Sequence, residues 1–133
     1  MNEFDLQIVT PDGLLFDGKA QKIILRTSEG DVGILANHAN YVAALSIGVA
    51  RVFTADGEKK GACAGGMVSV TDGVARVVAS TFEWGENIDV ERAEKAREKA
   101  ETRISSASDY YEHNLAEIKL KKSLARLKAA GNN

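Results

Sequence analysis

Two arginines and two carboxylates carry the most chemically suggestive spacing in this chain. Asp89 and Arg92 stand one helical turn apart within Ile88-Asp89-Val90-Glu91-Arg92-Ala93, Glu83 precedes them, and Arg126 follows in a later segment. Brought together, Arg92 and Arg126 form a two-pronged anion clamp, because guanidinium forks hold phosphate oxygens bidentately. Asp89 and Glu83 are then available to accept hydrogen bonds from a base or a ribose. The competing reading is a set of surface ion pairs on a solvated helix hairpin, which contribute little. A basic run, Lys119, Lys121, Lys122, Arg126 and Lys128, holds no acid between positions 119 and 128. At helical spacing Lys119, Lys122 and Arg126 share one face, which suits either an acidic partner or plain solvent.

Other chemistries fare worse. His38, in Ile34-Leu35-Ala36-Asn37-His38-Ala39-Asn40-Tyr41, falls in an expected loop, and no serine, cysteine or carboxylate arrangement declares a nucleophile beside it. A small hydrolase using His38 therefore requires activity from the isolated chain. The two histidines, His38 and His113, lie outside any ligand spacing, so no metal site is expected. Gly65-Gly66 is not followed by Gly-Lys-Ser or Gly-Lys-Thr and suits a bulge or a close strand crossing rather than a phosphate loop.

The elements that must position these residues divide the chain in two. Eleven of the twelve glycines and the only proline, Pro11, lie in residues 1–85, while residues 86–130 contain neither. An interior Gly destabilises a helix by about 1 kcal/mol and a Pro by about 3, so the second half is free to run as helix. In the first half, residues 4–9, 22–26, 49–53, 67–70 and 74–78 read as short β-rich strands. Asp12-Gly13, Asp17-Gly18, Asp56-Gly57 and Asp72-Gly73 supply turn signals between them. With no room for helical crossovers, antiparallel pairing in a sandwich or barrel is expected.

From Asn87, the expected cap, the period becomes helical. Ala93, Ala96, Ala100 and Ile104 make one stripe, residues 105–109 a polar break, and Ala116, Leu120, Leu124 and Leu127 the face of a second helix ending near Ala130. A short link predicts an antiparallel hairpin. Pairing about a midpoint near 107.5 sets position 89 opposite 126 and position 92 opposite 123. The expected organisation is a sandwich over residues 1–86 and a two-helix domain over 87–133.

Composition bounds the rest. A chain of 133 residues that is 44% hydrophobic supports one modest core. A net charge of -2 gives no bulk reason to bind nucleic acid or anionic lipid. The single cysteine, Cys63, rules out an intramolecular disulfide and suits a reducing, cytoplasmic setting. No stretch approaches the roughly 18 apolar residues of a membrane span, so membrane association is expected through partners and without direct insertion.

A β-rich half, a helical hairpin and Ile88-Asp89-Val90-Glu91-Arg92-Ala93 at their join resemble the epsilon subunit family of bacterial F-type ATP synthases. Val9-Thr10-Pro11-Asp12-Gly13, Glu29-Gly30-Asp31-Val32-Gly33-Ile34-Leu35 with His38, and Gly65-Gly66-Met67 match in order, so the resemblance covers essentially the whole chain. It implies a sandwich of about ten strands at the foot of the rotor, contacting gamma and the c ring with Asp31 and His38 on the rotor side. It also implies a mobile two-helix domain that folds down on the sandwich or extends toward the alpha-beta catalytic head, where it brakes ATP hydrolysis.

By the family's Ile/Leu-Asp-x-x-Arg-Ala motif, ATP is a regulatory ligand held by Glu83, Ile88, Asp89, Arg92, Ala93 and Arg126, and no cofactor is required. Lys119, Lys122 and Arg126 form the inhibitory basic face. The implied protein is a non-catalytic regulatory subunit, peripheral on the cytoplasmic face of the cell membrane. The alternative is a free-standing ATP-sensing module with another partner. Two positions depart from the family. Ala36-Asn37-His38 replaces its usual Pro-Gly-His, where Asn tolerates a left-handed φ. Lys122 stands where ATP-binding relatives often have Arg, which keeps the charge and loses the bidentate fork.

Overall fold

The computed structural model describes residues 2–131. Its strands follow a period of two, since successive side chains leave a strand on opposite faces. In β1 (Phe4–Thr10), Phe4, Leu6 and Ile8 are buried and Asp5 is exposed. β2 (Gly13–Ala20) returns antiparallel beside it, and β3 (Lys22–Thr27) turns Ile23 and Leu25 inward. β4 (Gly30–Leu35), β5 (Tyr41–Ala44) and β6 (Gly48–Thr54) follow, and then the two long strands β7 (Gly57–Thr71) and β8 (Val74–Trp84). The strand order is β2-β1-β8-β7-β6-β3-β4, with β5 added on β7.

The sandwich arises because β7 serves both layers. Its residues 57–63 pair with β6, and its residues 67–70 pair with β5. The corner lies at Gly65 and Gly66, with φ of 72° and 104°. A Cβ on Gly66 would stand 2.0 Å from the Val78 carbonyl oxygen, so only glycine permits that approach. Opposite the corner, Ser80 and Thr81 of β8 are both exposed, and the buried phase slips from Ala75, Val77 and Ala79 to Phe82 and Trp84. The expected ten or so strands are thus eight among the described residues, two of them running through both layers. Leu6, Ile8, Ile23, Leu25, Val52, Val68 and Val77 form the interior between the layers.

One pairing departs from the antiparallel expectation. β1 lies parallel to β8, from Asp5 opposite Val74 to Val9 opposite Val78. The connection needs no crossover helix because the rest of the sandwich is itself the crossover. Asp17-Gly18 is also not a turn: it continues β2 opposite Gln7 and Leu6. The Asp72-Gly73 turn does take positive φ at both residues, 50° and 81°, the geometry that matches strand twist.

After a short 3-10 turn at Gly85–Asn87, α1 (Val90–Ser106) and α2 (Tyr110–Ala129) form the hairpin. The cap of α1 is Asp89 rather than Asn87. Its Oδ1 accepts from the Arg92 backbone N at 3.1 Å, since the 3-10 turn already occupies Asn87. Asp109 caps α2 in the same way, accepting from the Glu112 N at 2.8 Å. Ser105 and Ser106 stay helical because their hydroxyls donate back to the Glu101 and Thr102 carbonyls at 3.3 and 3.0 Å. That lengthens α1 and shifts the register: Ser123 shares a groove with Ala96 and Ala100 rather than facing Arg92.

The hairpin docks on the sandwich through small residues. Ala62, Ile88, Ala93, Ala125, Leu127 and Ala129 form a second buried cluster, with Ile47 and Val49 at its margin. Because α2 meets both α1 and the sheet, its buried arc runs through Ala116, Ser123, Ala125, Leu127 and Ala129. Leu124, expected on the inner face, is 47% exposed. Ser123 is buried without penalty, as its hydroxyl donates to the Lys119 carbonyl at 2.9 Å. At Gly85 a Cβ would meet the Ala129 carbonyl oxygen at 2.1 Å, so the last turn of α2 rests directly on this backbone.

Candidate functional site

The six residues Glu83, Ile88, Asp89, Arg92, Ala93 and Arg126 line one cavity of about 460 Å³, together with Asn87 and Ala96. Glu83 comes from the end of β8, Asn87 and Ile88 from the junction, the next four from the first two turns of α1, and Arg126 from α2. Ile88 and Ala93 are buried and fix the floor. The hairpin therefore brings residues far apart in the chain to one cavity, although the shifted register means this does not rest on the expected pairing about position 107.5.

Arg126 holds the centre. Its Nε donates to Glu83 Oε1 at 3.2 Å, tying α2 to the last strand. The two side chains are 39% and 44% exposed, so the pair contributes only on the order of 0–1 kcal/mol by itself. Among the described residues its other guanidinium donors make no side-chain hydrogen bond. Asp89 is committed to the α1 cap through Oδ1, which leaves its other oxygen for a ligand.

A second groove of about 250 Å³ shares the lining residues Ala96 and Arg126 with this cavity. Lys99 and Arg103 of α1 and Lys119, Lys122 and Arg126 of α2 line it with Ala100 and Ser123, and no carboxylate joins them. Among the described residues, Arg92, Lys99, Arg103, Lys119 and Lys122 have no carboxylate within 4.0 Å. Neighbouring cations raise each other's free energy, so the seam between the helices carries a concentration of positive charge. Lys99 and Arg103 were not singled out by spacing. The signal was present, since positions 92, 99 and 103 recur at seven and four along one helix face.

The other expected positions lie elsewhere. Asp31 is on β4, exposed and paired with Arg26 at 3.3 Å. His38 is in the loop between β4 and β5, where its Nδ1 is 2.7 Å from the Ala39 carbonyl and its ring stands edge-on to Tyr41 at 5.7 Å. Asn37 beside it takes φ 66°, the left-handed conformation expected of a glycine substitute. Cys63 of β7 is buried with the sandwich interior, next to Ala62 of the helix-docking cluster, and lines a cavity of about 260 Å³ that also touches Glu83, Lys122 and Arg126. Burial pushes its thiol up to about 11.

Comparison with known proteins gives a consistent family. Residues 3–85 match the ATP synthase delta/epsilon chain beta-sandwich domain, and residues 86–131 match the ATP synthase delta/epsilon chain long alpha-helix domain. The chain is 41% identical over 128 residues to the ATP synthase epsilon chain of Syntrophomonas wolfei, covering 96% of this chain and 93% of that protein. It is 44% identical over 105 residues to that of Alkaliphilus oremlandii, covering 78% of each. Its fold is similar to a chain of the Euglena gracilis mitochondrial ATP synthase, in an assembly of OSCP, F1 and c-ring. The TM-score is 0.84 at 29% identity, over 98% of this chain and 82% of that one.

Proposed function

This chain belongs to the ATP synthase delta/epsilon family and is a central-stalk subunit of an F-type ATP synthase, and from that premise we propose that its hairpin is an ATP-governed brake on hydrolysis. The sandwich joins gamma to the c ring, with Asp31 and the His38 loop on the rotor side. The subunit is peripheral, on the cytoplasmic face of the membrane. Among the described residues, no helix is long and apolar enough to cross a membrane. It performs no catalysis of its own.

The observation that carries this reading is the convergence of Glu83, Ile88, Asp89, Arg92, Ala93 and Arg126 on one cavity that shares Arg126 with a groove of cations. ATP lies here with its phosphates toward Arg92 and Arg126 and its nucleoside against the α1 start. It touches both helices and the last strand, so it stabilises only the docked hairpin. A ligand shifts a conformational balance by its differential affinity, about 2.7 kcal/mol at a hundredfold excess over Kd. Without ATP, like-charge repulsion across the seam favours opening. The freed face of Lys119, Lys122 and Arg126 then meets acidic surface on the alpha-beta head and blocks rotation.

The test is ATP titration of the isolated full chain by calorimetry, with a fluorophore pair on α2 and the sandwich to follow docking. Saturable binding that brings the pair together is the expected result. No heat and no docking change at millimolar ATP reject the reading.

A further inference from the structure

The cavity at the start of α1 and the cation-lined groove share Ala96 and Arg126, and one uncharged polar residue at the α1 start is unused. Besides Arg126, the groove is lined by Lys99, Arg103, Lys119 and Lys122. The unused residue is Asn87, on the 3-10 turn just before the Asp89 cap, exposed and lining the cavity. Among the described residues its side-chain amide makes no hydrogen bond within the chain. Every other polar group lining this cavity is charged, Glu83, Asp89, Arg92 and Arg126. Asn87 alone offers one donor and one acceptor side by side without charge.

We infer that Asn87 is a specificity residue that reads the purine base of the bound nucleotide. This rests on the ATP reading of the site. Electrostatics orients the ligand: the polyphosphate is drawn to the basic end, which leaves the base at the Asn87 end. Adenine presents its N7 acceptor beside its N6 amino donor, and an Asn amide matches both at once. Guanine presents two acceptors on the same edge, N7 and O6, so the amide satisfies one and leaves its own oxygen facing another. The position therefore favours adenine over guanine.

The test measures binding of ATP, GTP, 7-deaza-ATP and inorganic triphosphate to the full chain and to Asn87→Ala by calorimetry. In the unaltered chain ATP binds about tenfold or more tighter than GTP and 7-deaza-ATP, as one bidentate pair implies. In Asn87→Ala the ATP affinity falls to the GTP level, the 7-deaza-ATP affinity no longer differs from it, and triphosphate binds unchanged. An unchanged ATP to GTP ratio in Asn87→Ala overturns the inference while leaving the ATP site standing. A parallel loss of triphosphate affinity overturns it too, since Asn87 would then only support the turn. If the unaltered chain binds no ATP at millimolar concentration, both this inference and the site fall together.

Discussion

Arg126 Nε lies 3.2 Å from Glu83 Oε1, a contact spanning 43 residues of chain that joins the second helix to the last strand. Arg126 also lines the cavity at the start of α1, the basic groove and the cavity beside Cys63, so one residue is common to all three.

Arg92→Ala and Arg126→Ala should each weaken ATP binding by roughly tenfold or more, since a charge-assisted hydrogen bond is worth about 1.5–3 kcal/mol. Arg126→Ala should also loosen docking without ligand, whereas Arg92→Ala should not, because no ion pair of Arg92 to the sandwich is lost. Calorimetry and the docking fluorophores separate the two effects. Equal affinity in both variants and the unaltered chain would remove them from the site.

Gly85→Val should undock the hairpin. Its Cβ would meet the Ala129 carbonyl oxygen at 2.1 Å, backbone against backbone, so the last turn of α2 must shift. Overpacking of this kind destabilises by about 1–3 kcal/mol. Amide exchange should quicken across α2 and stay slow in the sandwich. Unaltered protection of residues 123–129 would show that the contact relaxes freely.

Cys63 should report docking chemically. With its thiol pushed up to about 11, the thiolate share at pH 8 is on the order of 0.1%. Alkylation should be slow, rise about tenfold per pH step up to pH 10, and slow further with ATP. Because burial raises the thiol in the folded chain only, stability is intact below about pH 9. It is lost by about 2–3 kcal/mol as pH climbs from 9.0 toward about 11. Rapid labelling at pH 7 that ATP does not slow would contradict this placement.

Truncation after Asn87 should leave a folded sandwich, since its interior is built from residues between Phe4 and Trp84 alone. Complexes carrying it should hydrolyse ATP faster while pumping stays coupled. Replacing Lys119, Lys122 and Arg126 with Ala should raise hydrolysis in part, most at low salt where charges are least screened. Unchanged hydrolysis after truncation would rule out the brake.

Much of this architecture was legible because it rests on local signals. Period-two burial at Leu6 and Ile8, the Asp72-Gly73 turn and the absence of Gly and Pro from residues 86–130 each act within a few residues. What escaped the sequence depends on distant neighbours. The parallel β1–β8 pair is set by the whole sandwich, and Asp17-Gly18 stays extended because Gln7 and Leu6 pair with it. Leu124 faces outward because α2 must satisfy a sheet and a helix at once, which alanines do with less bulk. The six expected residues line one cavity, whereas Lys99, Arg103 and Asn87 were not singled out as lining residues, although the spacing of positions 92, 99 and 103 carried a signal.

The parallel contact of the first strand with the last has a consequence for the order of events during synthesis. Residues 5–9 acquire their β8 neighbours only when residues 74–78 have been made, so on the ribosome β1 has β2 as its sheet partner for most of the sandwich's translation. Closure of the sheet is a late, non-local step and therefore a slow one. The hairpin is assembled from neighbours in sequence and emerges after the sandwich, onto a platform whose final edge, Trp84 and Gly85, has only just been laid down.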